Sequence, residues 1–466
     1  MNRRSFIKTS IGTVGAGMFC GCASSLPANQ SENRPNFIII FADDLGYGDL
    51  TCFGHPTIKT PHLDRMAQEG MKLTQFYSAA SVCSPSRAAL LTGRLPKRTT
   101  VNNVLFPHHK NGLPQTEITI AGVLKQQDYA TACIGKWHLG HLKPFLPTSH
   151  GFDSYFGIPY SNDMTVDPEM DVAKDVLFRE GMTLEAMRSE EPKKGRVPIL
   201  HNEQVVEYPA DQNTLTKRYN EEAIRFIRKN KARPFFLYLA HTMPHIPLYA
   251  SEAFQDKSLR GLYGDTVEEI DAGVGKILKE IQLQGLDKNT LVIFTSDNGP
   301  WLGKELAGGS AGLLRGGKFT TWEGGFREPC IIRWPGVVPA NTVNMGITGT
   351  LDIFPTILNF AGLKIPVGRV IDGCSLKDVL TRNAESPRQT MFYYHSGALR
   401  AVRWKQWKLH LETSKSEQGD GFVKLDKPLL FNLEQDPGEQ YNIADKRPEI
   451  ITGIQEIIKK HNASIE

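Results

Sequence analysis

Four uninterrupted apolar runs constrain this chain more than any other feature. The first is Asn36–Ala42 (N-F-I-I-I-F-A), and similar runs lie at Ala130–Ile134, Phe235–Ala240 and Leu291–Ser296. None alternates with polar residues, so each reads as a strand buried on both faces of a parallel sheet. Helical periodicity lies between them, at Pro61–Gly70, Ser84–Thr92, Thr116–Gln127, Leu215–Lys229 and Thr266–Gln284. Strands alternating with helices predict an α/β fold with a large, doubly wound, mixed sheet flanked by helices. In such folds ligands bind beyond the carboxyl ends of the strands. The polar residues that follow each run are therefore the ones to inspect.

The chain has 466 residues, enough for a large α/β domain and a smaller one. From about Met391 the pattern changes to short strand-like runs (M-F-Y-Y, L-R-A-V-R-W, W-K-L-H-L), followed by a helical stretch from Pro448 to His461. This predicts a catalytic domain over 36–375 and a small C-terminal α+β domain over 376–466 containing an antiparallel sheet. Residues 161–214 are polar with few strand signals and read as an insertion or lid. There is no internal repeat.

Residues 1–22 read as an export signal, and 23–35 as a linker. Arg3-Arg4 precede a short apolar run from Ile11 to Phe19, in a twin-arginine-like arrangement. Two readings stand for the next step: acylation of Cys22 as a lipid anchor, or simple signal cleavage nearby. Either places the protein outside the cytoplasm, in the periplasm, with membrane attachment only through that anchor. Losing Arg3, Arg4 and Lys8 lowers Lys+Arg from 54 to 51 against 50 Asp+Glu, a net charge near +1 that gives no reason to expect nucleic-acid binding. The cysteines show neither C-x-x-C pairing nor zinc spacing.

Asp43 and Asp44 follow the first run, and Asp297 and Asn298 follow the last. Three carboxylates and an amide oxygen make an oxygen-rich site suited to Ca²⁺ or Mg²⁺ rather than zinc. Lys136 and His138 follow the second run and share one face in extended backbone, pairing a cation with a titratable imidazole. His245 follows the third run between two prolines. Lys318 lies in the glycine-rich R-G-G-K stretch, where the backbone can approach an anion closely.

Cys83 opens C-S-P-S-R-A-A-L-L-T-G-R at 83–94. Pro85 suits the first turn of a helix, and Ala88 to Leu91 propagate one. A side chain at that helix start sits where N–H groups favour an anion, with Arg87 one turn on along the same face. An isolated cysteine in such a place is more often a small buried residue.

The 83–94 stretch, F-A-D-D-L-G-Y-G-D-L at 41–50, G-K-W-H-L-G at 135–140, G-I-P-Y-S at 157–161, G-G-K-F-T-T-W-E-G-G at 316–325 and L-F-N-L-E-Q-D-P-G-E at 430–439 occur together and in order. As a set they resemble the type I sulfatases of the alkaline phosphatase superfamily, specifically the branch of arylsulfatase A and N-acetylgalactosamine-6-sulfatase. The resemblance implies that a maturation enzyme oxidises Cys83 to formylglycine, whose hydrate attacks sulfur. It implies that Asp43, Asp44, Asp297 and Asn298 bind Ca²⁺, or Mg²⁺, together with residue 83. Arg87 would hold the hydrated aldehyde, and Lys136 and Lys318 would grip sulfate oxygens. His245 would protonate the leaving alcohol, and His138 would be the base for sulfate release. Ser161 and His410 fall at positions that line the substrate pocket in this branch.

The resulting expectation is an exported sulfuric ester hydrolase acting on a sulfated carbohydrate, such as a polysaccharide or a glycosaminoglycan fragment. Two alternatives belong beside it: a phosphonate or phosphodiester hydrolase of the same superfamily, and a non-catalytic glycan-binding lipoprotein. His62, in T-P-H-L-D, and the pair His108-His109 depart from the family pattern and bear on the choice of sugar.

Overall fold

The computed structural model describes residues 34–189 and 194–465. The export signal and Cys22 lie outside the described residues. In chain order the strands of the main sheet are β1 (Asn36–Ala42), β2 (Met71–Tyr77), β3 (Ala130–Gly135), β4 (Ser154–Gly157), β5 (Val172–Phe178), β6 (Ile199–His201), β7 (Gln204–Tyr208), β8 (Phe235–Ala240), β9 (Thr290–Ser296), β10 (Arg327–Arg333), β11 (Thr342–Asn344) and β12 (Thr348–Gly349). They form one twelve-stranded sheet in the order β11-β2-β10-β9-β1-β8-β3-β4-β6-β7-β5, with β12 on β2. The centre β9-β1-β8-β3 is parallel, and β10 runs antiparallel to both β9 and β2. The sheet is therefore mixed, as expected.

β1 does not alternate because both of its faces are core. Ile38, Ile40 and Ala42 pack with Tyr219, Ala223 and Ile227 of the helix Leu215–Asn230 and with Val267, Ile270 and Val274 of the helix Gly261–Leu283. Phe37, Ile39 and Phe41 pack on the opposite face with Leu90, Leu91, Phe354 and Ile357. Each fully buried large apolar side chain contributes about 1.5–3 kcal/mol of transfer free energy.

A separate antiparallel sheet holds β13 (Thr390–His395), β14 (Ala398–Trp404), β15 (Trp407–Ser414) and β16 (Phe422–Asn432) in that order. The helix Pro448–Ile465 covers it through Ile454, packed with Val402, Leu409 and Leu430. Tyr77 and Phe326 of the main domain cluster with Met391, Tyr393 and Ala401, so the two sheets share an apolar seam.

Residues 161–214 differ from the sequence expectation. They carry β5, β6 and β7, which extend the main sheet outward from β4 through the antiparallel β4–β6 pair. These edge strands are short and only partly buried, and β5 loses register between Val172 and Leu177. No long apolar run marks such strands. The helix expected over Thr116–Gln127 spans only Ile120–Lys125, because Thr119 is extended and its hydroxyl accepts from the Gly122 N–H as a cap. β2 and β10 also lie outside the four runs. Among the described residues Cys52, Cys83, Cys133, Cys330 and Cys374 are all free thiols. No described helix is long and apolar enough to cross a membrane.

Candidate active site

The four parallel strands at the sheet centre deliver the site. Asp43 and Asp44 follow β1, and Asp297 and Asn298 follow β9. The in-register pair Ala42↔Ser296 makes those two acidic turns direct neighbours. Lys136 follows β3, and His245 lies on the loop after β8. Cys83 is the first residue of the helix Cys83–Thr92, whose preceding residue Val82 is extended and offers no side-chain cap. The first N–H groups of that helix are thus without a capping side chain where the acids and lysines converge.

All these side chains are buried. The Cys83 Sγ lies 3.6 Å from Asp43 Oδ1. Lys136 donates to Asp43 Oδ2 and, at 3.2 Å, to Ser161 Oγ. Lys318 donates to Asp44 Oδ2 at 2.8 Å. Arg87 donates to Asp297 Oδ2 through Nε (3.1 Å) and Nη2 (2.7 Å), and to the Lys136 carbonyl through Nη1 (2.9 Å). Asp44 sits at φ 64°, a left-handed conformation that aspartate tolerates. That twist aims its N–H at Asp297 Oδ1, 3.1 Å away.

Burial alone would raise the Asp43 carboxyl, but Lys136, His245, Arg87 and Lys318 overrule it and hold the group far below the usual carboxylate range. Asp297, buried beside Asp43, is pushed up to about 7 against the pull of Arg87 and Lys136. Burial pushes the Cys83 thiol up to about 12, with Lys136 and Lys318 offsetting only part of the rise. An unmodified thiol here stays protonated near neutral pH, unlike the thiolate of a cysteine nucleophile.

The two histidines are set up differently. His138 donates from Nε2 to the Leu105 carbonyl at 2.9 Å, and its buried Nδ1 has no partner. Burial, Lys136 and Arg87 drive its pKa well down, so it is a neutral imidazole with a free lone pair. Leu105 also donates its N–H to Ser84 Oγ (3.1 Å), which ties the His138 support to the residue after Cys83. His245 has Nε2 3.7 Å from Asp44 Oδ2 and Nδ1 against the Ile246 carbonyl, and Ser161 Oγ lies 3.3 Å from its ring nitrogens. Burial and Lys318 lower its pKa, and Asp44 and Asp43 oppose them.

The oxygen donors of Asp43, Asp44 and Asn298 fit a hard divalent cation. Ligand atoms of Asp43, Asp44, Cys83 and His245 lie within 4.8 Å of one another. Asn298 donates from Nδ2 to Asp44 Oδ1 at 2.7 Å, while its buried Oδ1 has no hydrogen-bond partner. An orphaned amide oxygen beside two carboxylates is what an oxygen-liganded cation would satisfy. Asp297 lies at the edge of this group, with Oδ2 taken by Arg87 and Oδ1 by the Asp44 N–H.

His410 is not with the others. It is fully buried at the seam between the domains, with Nε2 2.7 Å from Glu439 Oε1 and its ring 4.4 Å from that of Trp322. Lys408 bridges Glu323 and Glu439, each at 3.0 Å, and Tyr77 and Tyr393 donate to Glu323. The alternation of β15 turns His410 inward against Trp322 and places it in this buried network. Sequence reading missed Trp301, whose ring lies 5.8 Å from that of His245 and 4.6 Å from Lys318 Nζ. No spacing pattern marked it. Its position comes from the Pro300 carbonyl, which accepts the Lys318 N–H at 2.9 Å. Gly317 permits that approach, since a Cβ there would meet the Pro300 oxygen at 2.3 Å.

Comparison with known proteins agrees with this geometry. The Sulfatase family profile matches residues 35–363, and the profile for the C-terminal region of aryl-sulfatase matches 386–466. The chain is 39% identical to human arylsulfatase A over 449 residues, covering 91% of this chain and 87% of that protein. It is 39% identical to rat N-acetylgalactosamine-6-sulfatase over 481 residues, covering 95% and 88%. The solved structure of Ps i-CgsB in complex with k-i-k-neocarrahexaose superposes with a TM-score of 0.78 at 30% identity, covering 92% of each chain. The chain is an enzyme of the sulfatase family, similar to arylsulfatase A and N-acetylgalactosamine-6-sulfatase.

Proposed function

We propose that this protein hydrolyses sulfate monoesters of a sulfated carbohydrate, using residue 83 after oxidation of Cys83 to formylglycine. The observation that carries the reading is the convergence on Cys83 of two buried lysines, the β1 and β9 carboxylates and the free Asn298 Oδ1. That arrangement suits an anion held against a cation. The hydrated aldehyde supplies a hydroxyl nucleophile and a second hydroxyl through which sulfate is expelled. Asp43, Asp44 and Asn298, with Asp297 behind them, would hold a divalent cation, which would supply Lewis-acid stabilisation of sulfate oxygens; Ca²⁺ suits this set and Mg²⁺ is the alternative.

The chain's own residues do the rest. Lys136 and Lys318 place preorganised positive charge on the nonbridging oxygens, where low dielectric strengthens it. Arg87 is fixed by Asp297 and presents its charge to residue 83. His245 sits on the leaving-group side. An arriving sulfate monoester adds negative charge beside it, raising its proton affinity so that it can protonate the departing alcohol. His138, neutral with a free Nδ1, accepts the proton when sulfate leaves. Proton transfers of this kind each contribute about 10²–10⁴-fold. Ser161 links Lys136 to His245 and holds both in register.

The carbohydrate assignment is supported by the N-acetylgalactosamine-6-sulfatase relative and by the oligosaccharide bound in Ps i-CgsB. Secretion to the periplasm, through the Arg3-Arg4 signal with or without acylation of Cys22, is part of the same proposal. Aldehyde-bearing protein should release sulfate from N-acetylgalactosamine 6-sulfate or another sugar sulfate. Faster turnover of a phosphodiester would instead support the phosphodiesterase alternative. Binding of sulfated sugar without turnover would support the glycan-binding one.

A further inference from the structure

Trp301 lies beside His245 and Lys318 at the candidate site, and Lys304 lies against it. Trp301 is half-buried, with its ring 5.8 Å from that of His245 and edge-on to Phe319 at 5.3 Å. Lys318 Nζ, which faces Asp44 on the inner side, lies 4.6 Å from the indole centroid. Trp301 therefore runs from the sulfate-gripping lysine to the proton-donating histidine and outward. Lys304 is tied to it twice. Its N–H donates to the Trp301 carbonyl at 3.0 Å, and its Nζ lies 4.4 Å from the indole centroid.

Lys304 also differs from cations that carry a carboxylate partner. Arg315 pairs with Glu417 at 2.9 Å, and Arg400 pairs with Glu412. Among the described residues, the indole is the contact found for the Lys304 ammonium, and no carboxylate pairs with it. An unpaired ammonium on an aromatic face, at the edge of a site built for one anion, is available for another.

Resting on the sulfate-ester reading above, we propose that Trp301 and Lys304 form a leaving-group subsite. The sugar ring bearing the ester stacks on the indole, and Lys304 binds a second anionic substituent, a further sulfate or a carboxylate, on the same or the adjoining sugar. The substrate class is thereby a polyanionic glycan. Aromatic side chains supply broad apolar contact to a ring face, and a charge-assisted contact adds discrimination.

The test compares aldehyde-bearing wild type, Lys304→Gln, Lys304→Glu, Trp301→Ala and Trp301→Phe. The probes are N-acetylgalactosamine 6-sulfate, the 4,6-disulfate and a 6-sulfated disaccharide containing a uronate. Wild type should prefer a dianionic probe in kcat/KM, and Lys304→Gln should cut that preference about tenfold, the scale of one lost charge-assisted contact. Lys304→Glu should cut it further, and whichever dianionic probe is affected distinguishes sulfate from carboxylate as the partner. Trp301→Ala should raise KM for all three sugars, with Trp301→Phe restoring most of the loss. Calorimetric binding of the same probes to Cys83→Ala and to Cys83→Ala/Lys304→Gln reads the subsite without turnover. An unchanged dianion-to-monoanion ratio in Lys304→Gln, by kinetics or by binding, overturns the proposal. Absence of sulfate release from every probe by aldehyde-bearing wild type would overturn the sulfate-ester reading instead.

Discussion

Lys318 donates to Asp44 at 2.8 Å, and its charge is held in place by that carboxylate while the neighbouring Lys136 faces Asp43. Each acid at the end of β1 is thus matched by a buried ammonium, yet Asn298 Oδ1 is left without a partner. A divalent cation would satisfy that oxygen and add charge to the carboxylates. Chelator-treated protein should gain thermal stability when Ca²⁺ is restored, by about 2.7 kcal/mol at a hundredfold excess over Kd. Asn298→Leu should shrink the shift in scanning calorimetry. Identical melting with and without Ca²⁺ would count against a cation site here.

Arg87 is the second lever. Its Nε and Nη2 share Asp297 Oδ2, a forked contact that lysine cannot reproduce. Arg87→Lys should lower stability by about 3 kcal/mol, the cost of disturbing a fully buried ion pair. Denaturant titration gives the stability, and sulfate release from the same preparation should fall with it. Wild-type stability and turnover in this variant would show that the fork is dispensable.

For His410 the expectation is structural. Its ring packs on Trp322, and its Nε2 meets Glu439, whose Oε2 accepts the Glu323 N–H. Removing it strips a partner from a buried carboxylate network. His410→Ala should lose about 1–3 kcal/mol in denaturant titration, with KM for a sugar sulfate much less affected. A large KM change at unaltered stability would restore a substrate-contacting role.

The centre of the fold was legible in the sequence, and its edges were not. β1, β3, β8 and β9 are buried on both faces, so their composition alone marks them, and the polar residues after them converge in the candidate site. β5 to β7 are partly solvated and short, which leaves no such mark. Cys83, Arg87, Lys136 and Lys318 were found through local motifs. The surroundings of His410 were not legible, because W-K-L-H fixes only which face of β15 the ring occupies. What covers that face is Trp322, far away in sequence. Trp301 was missed although it follows Asp297-Asn298 closely: an indole there carries no recognisable chemistry until the fold brings His245 and Lys318 beside it.

His461 gives the C-terminal helix a pH dependence. Its Nε2 meets the Tyr394 hydroxyl at 2.8 Å, its ring stacks on Phe392, and burial lowers its pKa to about 4. The unfolded imidazole titrates near its ordinary value of 6.5. Between those values the unfolded state binds the extra proton, so the contribution is present above about 6.5 and is lost as pH falls toward 4. Melting temperature should drop over that window, and His461→Phe should flatten the slope. An equal slope in the variant would assign the acid sensitivity to other groups.

On the proposed reading, turnover belongs to the oxidised form of residue 83. The direct measurement is sulfate release by preparations graded in aldehyde content at position 83, quantified by mass spectrometry of the tryptic peptide Leu73–Arg87. Turnover should be proportional to the aldehyde fraction, with none from the thiol form. Turnover independent of that fraction, or none from fully converted protein, would contradict that reading.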